Sequence, residues 1–280
     1  MILIAESGST KTHWRIILLD GSISQAQSQG MNPYYQSDLE LTKAIKEGTS
    51  AAREMNIKEI FHYGAGCSSD TNISRITQAY HRLFPTARVE VNHDLIAAAR
   101  ALCGNKPGIA CILGTGANSC LYDGVKIIEN IPSLGYVMGD EGSGSHLGKL
   151  LLANYMRKDL PVKIAERLEE RYDLSKDNVL SNVYQREMPI KYLAGFSKFI
   201  FRNIKEPYLH QMVFNAFDEF FEKNVVKYTD YKRQPVHFTG AVSFYYGNIL
   251  RQVASKHGVT LQRIVENPIA GLALFHQEAI

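Results

Sequence analysis

The sequence predicts an α/β protein made of two related halves facing each other. Two observations predict this. The first is a strand–turn–strand–turn–strand order that occurs twice. Residues 1–5 are a continuous apolar run, residues 6–12 a polar turn of mostly small residues, and residues 14–19 a second strand ended by Asp20-Gly21. A third strand runs near residues 22–28. The same order returns with an apolar strand at 109–113, a small-residue turn at 114–119, a strand at 120–122, Asp123-Gly124, and a strand near 125–129. The second observation is that helical and strand patterns alternate after the first set, as they do in α/β sheets.

The remaining elements follow in order. Apolar spacing of helical type covers 38–55, and residues 57–63 read as a strand. A helix over 73–84 is stopped by Pro85, a strand covers 88–91, and an Ala-rich helix covers 95–102. The stretch 145–228 is mostly helical, with helix-forming runs at 164–172 and 209–228. A late strand at 235–239 and a helix over about 242–257 come next. Pro268 suits the first turn of a final helix, where its missing N–H costs nothing.

With 280 residues, 45% of them hydrophobic and 21% charged, the chain can bury the cores of one or two domains and is not composed like a disordered chain. A net charge of +3 without a Lys/Arg block gives no reason to expect a nucleic-acid partner, and Lys232-Arg233 reads as a solvated turn. The N-terminus turns polar at Glu6 and has no basic n-region, so no signal peptide is expected. No apolar run approaches the roughly 20 residues of a membrane span. The expected location is the cytoplasm. Cys67, Cys103, Cys111 and Cys120 have no CxxC spacing and read as buried reduced thiols.

The two small-residue turns are the first candidates for chemistry. Each offers backbone N–H groups at close range, and such a nest suits a phosphate. The first adds the hydroxyls of Ser9, Thr10 and Thr12 and the ammonium of Lys11. Neither fits a P-loop or a dinucleotide fingerprint: Lys11-Thr12 lacks the required preceding glycine, Gly114-Thr115-Gly116 lacks a third one, and both turns run into strands instead of helices.

These residues, with three further segments, resemble the N-acetylglucosamine kinase-like branch of the actin/hexokinase/Hsp70 superfamily, which overlaps the BadF/BadG/BcrA/BcrD-type ATPases. Glu6-Ser7-Gly8-Ser9-Thr10-Lys11-Thr12 looks like the first phosphate motif and Gly114-Thr115-Gly116-Ala117-Asn118-Ser119 like the second. Asn92-His93-Asp94-Leu95 looks like the segment bearing the catalytic aspartate. Leu134-Gly135-Tyr136 through Gly139-Asp140-Glu141-Gly142-Ser143-Gly144 looks like the sugar-binding segment, and Thr239-Gly240-Ala241-Val242 like the adenosine motif. Five loose motifs in the right order cover nearly the whole length.

The resemblance implies two ribonuclease H-like (actin-like ATPase) domains with a cleft between them. The first spans 1–103. The second spans 104–280 with a helical insertion at about 145–228, and the closing helix at about 267–280 packs back on the first. It implies an ATP-dependent kinase that phosphorylates the 6-hydroxyl of an N-acetylated amino sugar, N-acetylglucosamine or N-acetylmuramic acid, with Mg²⁺. Asp94 is then the general base. Gly8, Ser9, Thr10, Lys11, Thr12, Gly114, Thr115, Gly116, Gly240 and Ala241 bind ATP. Asn32, Asp94, Gly116, Ala117, Asn118, Gly135, Asp140 and Glu141 contact the sugar. Glu6 reaches the metal through water. One departure matters: the first motif usually begins with Asp, and this chain has Glu6, one methylene longer, with His13 where an Asp often follows. Reduced or retuned activity is the consequence to expect. The alternatives are a non-catalytic sugar- or ATP-binding regulator and a dehydratase-activating ATPase with a cysteine-held cluster. A homodimer is the default assembly.

Overall fold

The computed structural model describes residues 1–8, 11–52 and 55–278, and the chain divides into two compact units. Unit 1 holds Met1–Lys106, Gly124–Lys126 and Asn267–Ile280; unit 2 holds Pro107–Asp123 and Ile127–Glu266.

Unit 1 begins with β1 (Ile2–Ser7), β2 (Lys11–Ile17) and β3 (Ile23–Gln29), then α1 (Asp38–Gly48), β4 (Glu59–Gly64), α2 (Asp70–His81), β5 (Arg88–His93) and α3 (Asp94–Cys103). The sheet order is β3-β2-β1-β4-β5. β1 runs antiparallel to β2 and parallel to β4, which is parallel to β5. The burial follows from this order. The central strand β1 is apolar and buried from Ile2 to Ala5, whereas β3, Ile-Ser-Gln-Ala-Gln-Ser-Gln, alternates exposed and half-buried positions as an outer strand does. Ser37 and Glu40 close a capping box on α1.

The helical pattern over 38–55 ends early, at Gly48. A side chain there would run into Trp14: an added Cβ would lie 2.0 Å from its indole nitrogen. Glycine thus lets the last turn of α1 pack on the fully buried Trp14, and Thr49 caps the helix end, its hydroxyl donating to the Ile45 carbonyl at 2.7 Å. Beyond it lies only a single 3₁₀ turn at Ser50–Ala52.

Unit 2 repeats the plan. Its strands are β6 (Gly108–Leu113), β7 (Ala117–Tyr122), β8 (Ile127–Ile131), β9 (Val236–Thr239) and β10 (Leu261–Val265), in the order β10-β9-β6-β7-β8. β6 is antiparallel to β7 and parallel to β9, and β9 is parallel to β10. Position for position this is the order of unit 1, with β6 in the place of β1. Between β8 and β9 come α4 (Gly135–Met138), α5 (Gly144–Met156), α6 (Val162–Glu169), α7 (Lys176–Tyr184), α8 (Pro189–Gly195), α9 (Ser197–Arg202) and α10 (Pro207–Lys223). Phe217, Phe220 and Phe221 of α10 are fully buried with Phe238 of β9, so the insertion and the sheet share one core. The helix expected over 242–257 is two helices, α11 (Ala241–Tyr245) and α12 (Gly247–Lys256), joined at Tyr246, whose hydroxyl donates to the Ser197 carbonyl at 2.6 Å. Among the described residues no helix is long and apolar enough to cross a membrane.

The last helix, α13 (Ile269–Gln277), belongs to unit 1. Gly271 lets it approach α3 closely, since a Cβ there would lie 2.4 Å from the Ala101 carbonyl oxygen. His276 is stacked on Phe61, with ring centres 3.8 Å apart, and is hydrogen-bonded to Tyr63 at 2.7 Å. Arg100 of α3 donates to the same Tyr63 hydroxyl at 2.7 Å and to Glu90 at 3.1 Å.

Candidate functional site

Each sheet has a carboxyl edge where parallel strands end together, the place where open α/β sheets bind ligands. In unit 1, Glu6, Tyr63 and Asn92 lie in register across β1, β4 and β5, and Ser7, Gly64 and His93 come next. Neighbouring strands are about 4.8 Å apart. The ends of β1 and β5 are thus separated by one strand, and Asp94 follows directly on β5 as the first residue of α3.

Asp94 is half-buried, and desolvation raises its pKa. The charge of His93 and the N–H groups of Asp94 and Leu95 at the helix start oppose that rise. Glu6 is pushed up to about 7, chiefly by burial; the hydrogen bond from Asn267 opposes the shift and the charge of Asp94 adds to it. The Asn267 amide donates to Glu6 at 3.0 Å, while its carbonyl oxygen accepts the Ile269 N–H at 2.8 Å and so fixes which way the amide points. Asn267 was missed in the sequence. Its only signal there is Asn-Pro before the final helix, which reads as ordinary helix-start chemistry.

The first phosphate turn is shorter than the sequence suggests. Strands take Glu6, Ser7, Lys11 and Thr12, leaving Gly8, Ser9 and Thr10, and Ser9 and Thr10 lie outside the described residues. The Gly8 N–H donates to the Lys11 carbonyl at 3.0 Å, and the Lys11 side chain is exposed. Thr12 departs from its expected role. Its hydroxyl is fully buried, donates to the Gln29 carbonyl at 3.0 Å and lies 2.9 Å from the Ser7 hydroxyl, which also bonds the Met31 backbone. It braces the hairpin instead of facing a ligand. Asn32 follows this brace. Its carbonyl oxygen accepts the Tyr34 N–H at 3.0 Å, and its NH₂ makes no hydrogen bond among the described residues.

In unit 2, six of the expected residues gather at the end of β6: Gly114, Thr115, Gly116, Ala117, Asp140 and Gly240. Gly114 closes the turn by donating to the Gly116 carbonyl at 3.0 Å. The Gly114 and Thr115 carbonyls accept the first N–H groups of α5, from Gly144 at 2.8 Å and Ser145 at 3.0 Å. Asp140 is buried beneath the turn and accepts the Ala117 N–H at 3.1 Å. It packs so closely that a Cβ on Gly116 would lie 2.9 Å from its carboxylate. Burial raises the Asp140 pKa, against the Ala117 N–H and the Lys149 charge. Gly240 has φ +115°, and a Cβ there would lie 2.3 Å from the Leu113 carbonyl oxygen. The chain after β9 can therefore pass directly over the end of β6 only as glycine.

The other expected residues of unit 2 stand apart from this cluster. Ala241 is exposed at the start of α11. The Asn118 carbonyl oxygen lies on β7, where it accepts the Ser119 N–H at 2.9 Å and the Asn130 amide at 3.2 Å. Gly135 opens α4 with φ +71° and space around its Cα. Glu141 is held by Lys223 at 3.0 Å, and Lys223 also pairs with Glu219. That ion pair points to a bracing role on α10.

The Glu6 environment makes a testable statement about stability. Its folded-state pKa lies above the ordinary 4.5. Its contribution to stability is therefore complete below about pH 4.5 and is lost as pH rises through 7. At about 1.4 kcal/mol per unit, and discounted for partial exposure, the ionised carboxylate costs on the order of 1–3 kcal/mol at pH 8. Glu6→Gln keeps the Asn267 bond without the charge. It should melt several degrees above the wild type at pH 8 without ligands, and together with it at pH 4, below the ordinary value of 4.5. Equal melting at pH 8 would show that Glu6 is not desolvated.

No protein-family model matches the chain, and no curated protein matches it. Solved structures do. A candidate N-acetylglucosamine kinase from Porphyromonas gingivalis superposes with a TM-score of 0.93 at 39% identity, over 99% of each chain. A candidate N-acetylglucosamine kinase from Chromobacterium violaceum gives 0.67 at 17% identity, over 98% of each chain. The ethanolamine utilization protein EutJ from Carboxydothermus hydrogenoformans gives 0.54 at 14%, over 98% of this chain and 89% of its own. The last two bear on the fold alone.

Proposed function

This chain belongs to the N-acetylglucosamine kinase-like family of the actin/hexokinase/Hsp70 superfamily, and on that footing we propose that it is an ATP-dependent sugar kinase. Its acceptor is the 6-hydroxyl of an N-acetylated amino sugar, N-acetylglucosamine or N-acetylmuramic acid. The observation that supports this reading most is the desolvated Asp94 carboxyl at the carboxyl edge of the unit 1 sheet, one strand away from the turn after β1.

In this reading the residues divide the work. Asp94 accepts the proton of the sugar hydroxyl as the phosphoryl group transfers. Its raised pKa makes it a better acceptor than an exposed aspartate. Asp140 and Asn32 hold sugar hydroxyls and the N-acetyl group. The turns at Gly8 and at Gly114–Gly116 hold the phosphates. The Gly8 and Gly114 N–H groups close those turns, so the donors there are the N–H groups of Thr115 and Gly116, and Gly240 gives the adenosine close access to the backbone.

Mg²⁺ is the expected companion of ATP, and the donors fit it. Glu6, held in place by Asn267 and close enough to Asp94 to feel its charge, would hold the ion through a bound water, since magnesium commonly keeps waters along with one or two carboxylates and the phosphates. When bound, the ion neutralises charge on the phosphates.

A coupled assay for ADP across a panel of amino sugars tests the reading. ADP release that depends on an N-acetylated amino sugar is expected. Sugar binding without turnover would favour the regulator, and iron bound to the purified protein would favour the dehydratase activator.

A further inference from the structure

Asp140 reaches its place through an uncommon backbone. It stands at φ +57°, a left-handed conformation that residues with a Cβ seldom take, and its N–H donates to the Ser133 carbonyl at 3.2 Å. It also opens a tight turn. The Ser143 N–H donates back to the Asp140 carbonyl at 3.0 Å, and Gly142, the third residue of the turn, has φ +73°. A positive φ at that position is that of a type II turn. Types I and II differ by a flip of the central peptide, which here joins Glu141 to Gly142 and carries the Gly142 N–H. The direction of that one N–H decides which turn is present.

His146 fixes the direction. The Gly142 N–H donates to its Nδ1 at 3.0 Å in a buried bond. His146 is buried in the first turn of α5, and its own N–H is capped by the Ser143 hydroxyl at 3.2 Å. A neutral imidazole that accepts at Nδ1 carries its proton on Nε2, and that nitrogen lies 3.7 Å from Glu219 of α10. Burial lowers the His146 pKa and so keeps the lone pair available. The charges of Glu219 and Glu141 oppose that shift, and those of Lys149 and Lys223 add to it. A flipped peptide would aim the Glu141 carbonyl at the lone pair, acceptor against acceptor, and would leave a buried donor to find another partner. The strained backbone of Asp140 persists only where its neighbours over-determine it. The His146 bond is one such restraint, and the Lys223 bond to Glu141 is another.

We propose that His146 is a positioning residue for the acceptor: its Nδ1 lone pair holds the Asp140–Ser143 turn in the form that sets the Asp140 carboxylate under the Gly114 turn, and sugar affinity depends on it. The inference rests on the reading of Asp140 as a residue that holds the sugar.

Three substitutions separate the lone pair from the bulk of the ring. His146→Asn puts a carbonyl oxygen where Nδ1 lies, His146→Gln puts one where Nε2 lies, and His146→Leu fills space without an acceptor. Calorimetry gives the Kd of whichever of N-acetylglucosamine and N-acetylmuramic acid binds the wild type, and melting curves set an assay temperature at which the variants are folded. The Gln and Leu variants should bind the sugar about tenfold more weakly or worse, the cost of one misdirected hydrogen bond to a charged group. His146→Asn should stay within about threefold of wild type. A role in packing alone would not rank the variants this way, and if the Leu variant does not fold, the Asn and Gln pair decides. Wild-type affinity in the Gln variant overturns the inference, as does an Asn variant that loses as much as Gln. Asp140→Asn separates this from the wider reading. Weaker sugar binding in that variant, with none in His146→Gln, removes the His146 role and keeps Asp140 in the site. Unchanged binding in Asp140→Asn, or no sugar bound by the wild type, removes both.

Discussion

Asp94→Asn is expected to lower kcat by roughly 10²–10⁴-fold, the range for loss of a positioned general base. The amide fills the same volume, and its oxygen can still accept the N–H groups at the start of α3. Stability should therefore hold. It should even rise slightly at neutral pH, because the wild-type carboxylate is desolvated and its charge also disfavours ionised Glu6. Sugar and nucleotide affinities should change much less than kcat, since the proton is taken only as transfer proceeds. Steady-state kinetics with melting curves on the same samples check this. A kcat within about threefold of wild type would mean that Asp94 merely starts its helix, where a negative charge is favoured in any case.

Gly240→Ala should damage both stability and nucleotide binding. Two costs combine. The backbone at φ +115° is closed to residues with a Cβ, and the added carbon would lie 2.3 Å from the Leu113 carbonyl oxygen. Backbone strain costs about 1–3 kcal/mol, and forced overpacking adds a similar amount. A loss of at least about 2 kcal/mol corresponds to roughly 4–8 °C in a unit of this size. The chain must move away from the end of β6 to relieve the contact, and that displaces both Ala241 and the turn at Gly114. Melting with and without ATP measures both effects: the variant should melt lower and gain little from the nucleotide. A variant that melts normally and keeps the full ATP-induced rise would contradict the role given to Gly240.

The repeated strand order was legible because β1 from Ile2 to Ala5 and β6 throughout are apolar, and glycine and hydroxyl residues follow each run. What stayed hidden has particular causes. β10, Leu-Gln-Arg-Ile-Val, is an outer strand with exposed Gln262 and Arg263, so its pattern looks like a loop. Strands β2 and β7 begin three residues before the apolar runs that announce them, at Lys11 and Ala117, because pairing with β1 and β6 holds polar residues extended. α1 ends early at the Thr49 cap, and the need for glycine at position 48 comes from its packing on Trp14, a contact with a strand distant in sequence that apolar spacing cannot report. Within the site, motif order pointed to Asp94, Asp140 and the glycines. It did not separate Thr12, whose hydroxyl is spent inside the hairpin, from a residue facing a ligand. Nor did it show that Glu141 is paired with Lys223, or that Glu6 is held by an asparagine 261 positions later. Such partners come from far along the chain and leave no local pattern.

The most direct test of the kinase reading is to identify the product. The protein is incubated with ATP, Mg²⁺ and an N-acetylated amino sugar, and the sugar is then examined by phosphorus and proton NMR. The account predicts a new phosphomonoester coupled to the protons on C6, absent when Asp94→Asn replaces the wild type. Unaltered sugar with only inorganic phosphate released, or sugar bound with ATP intact, would contradict it.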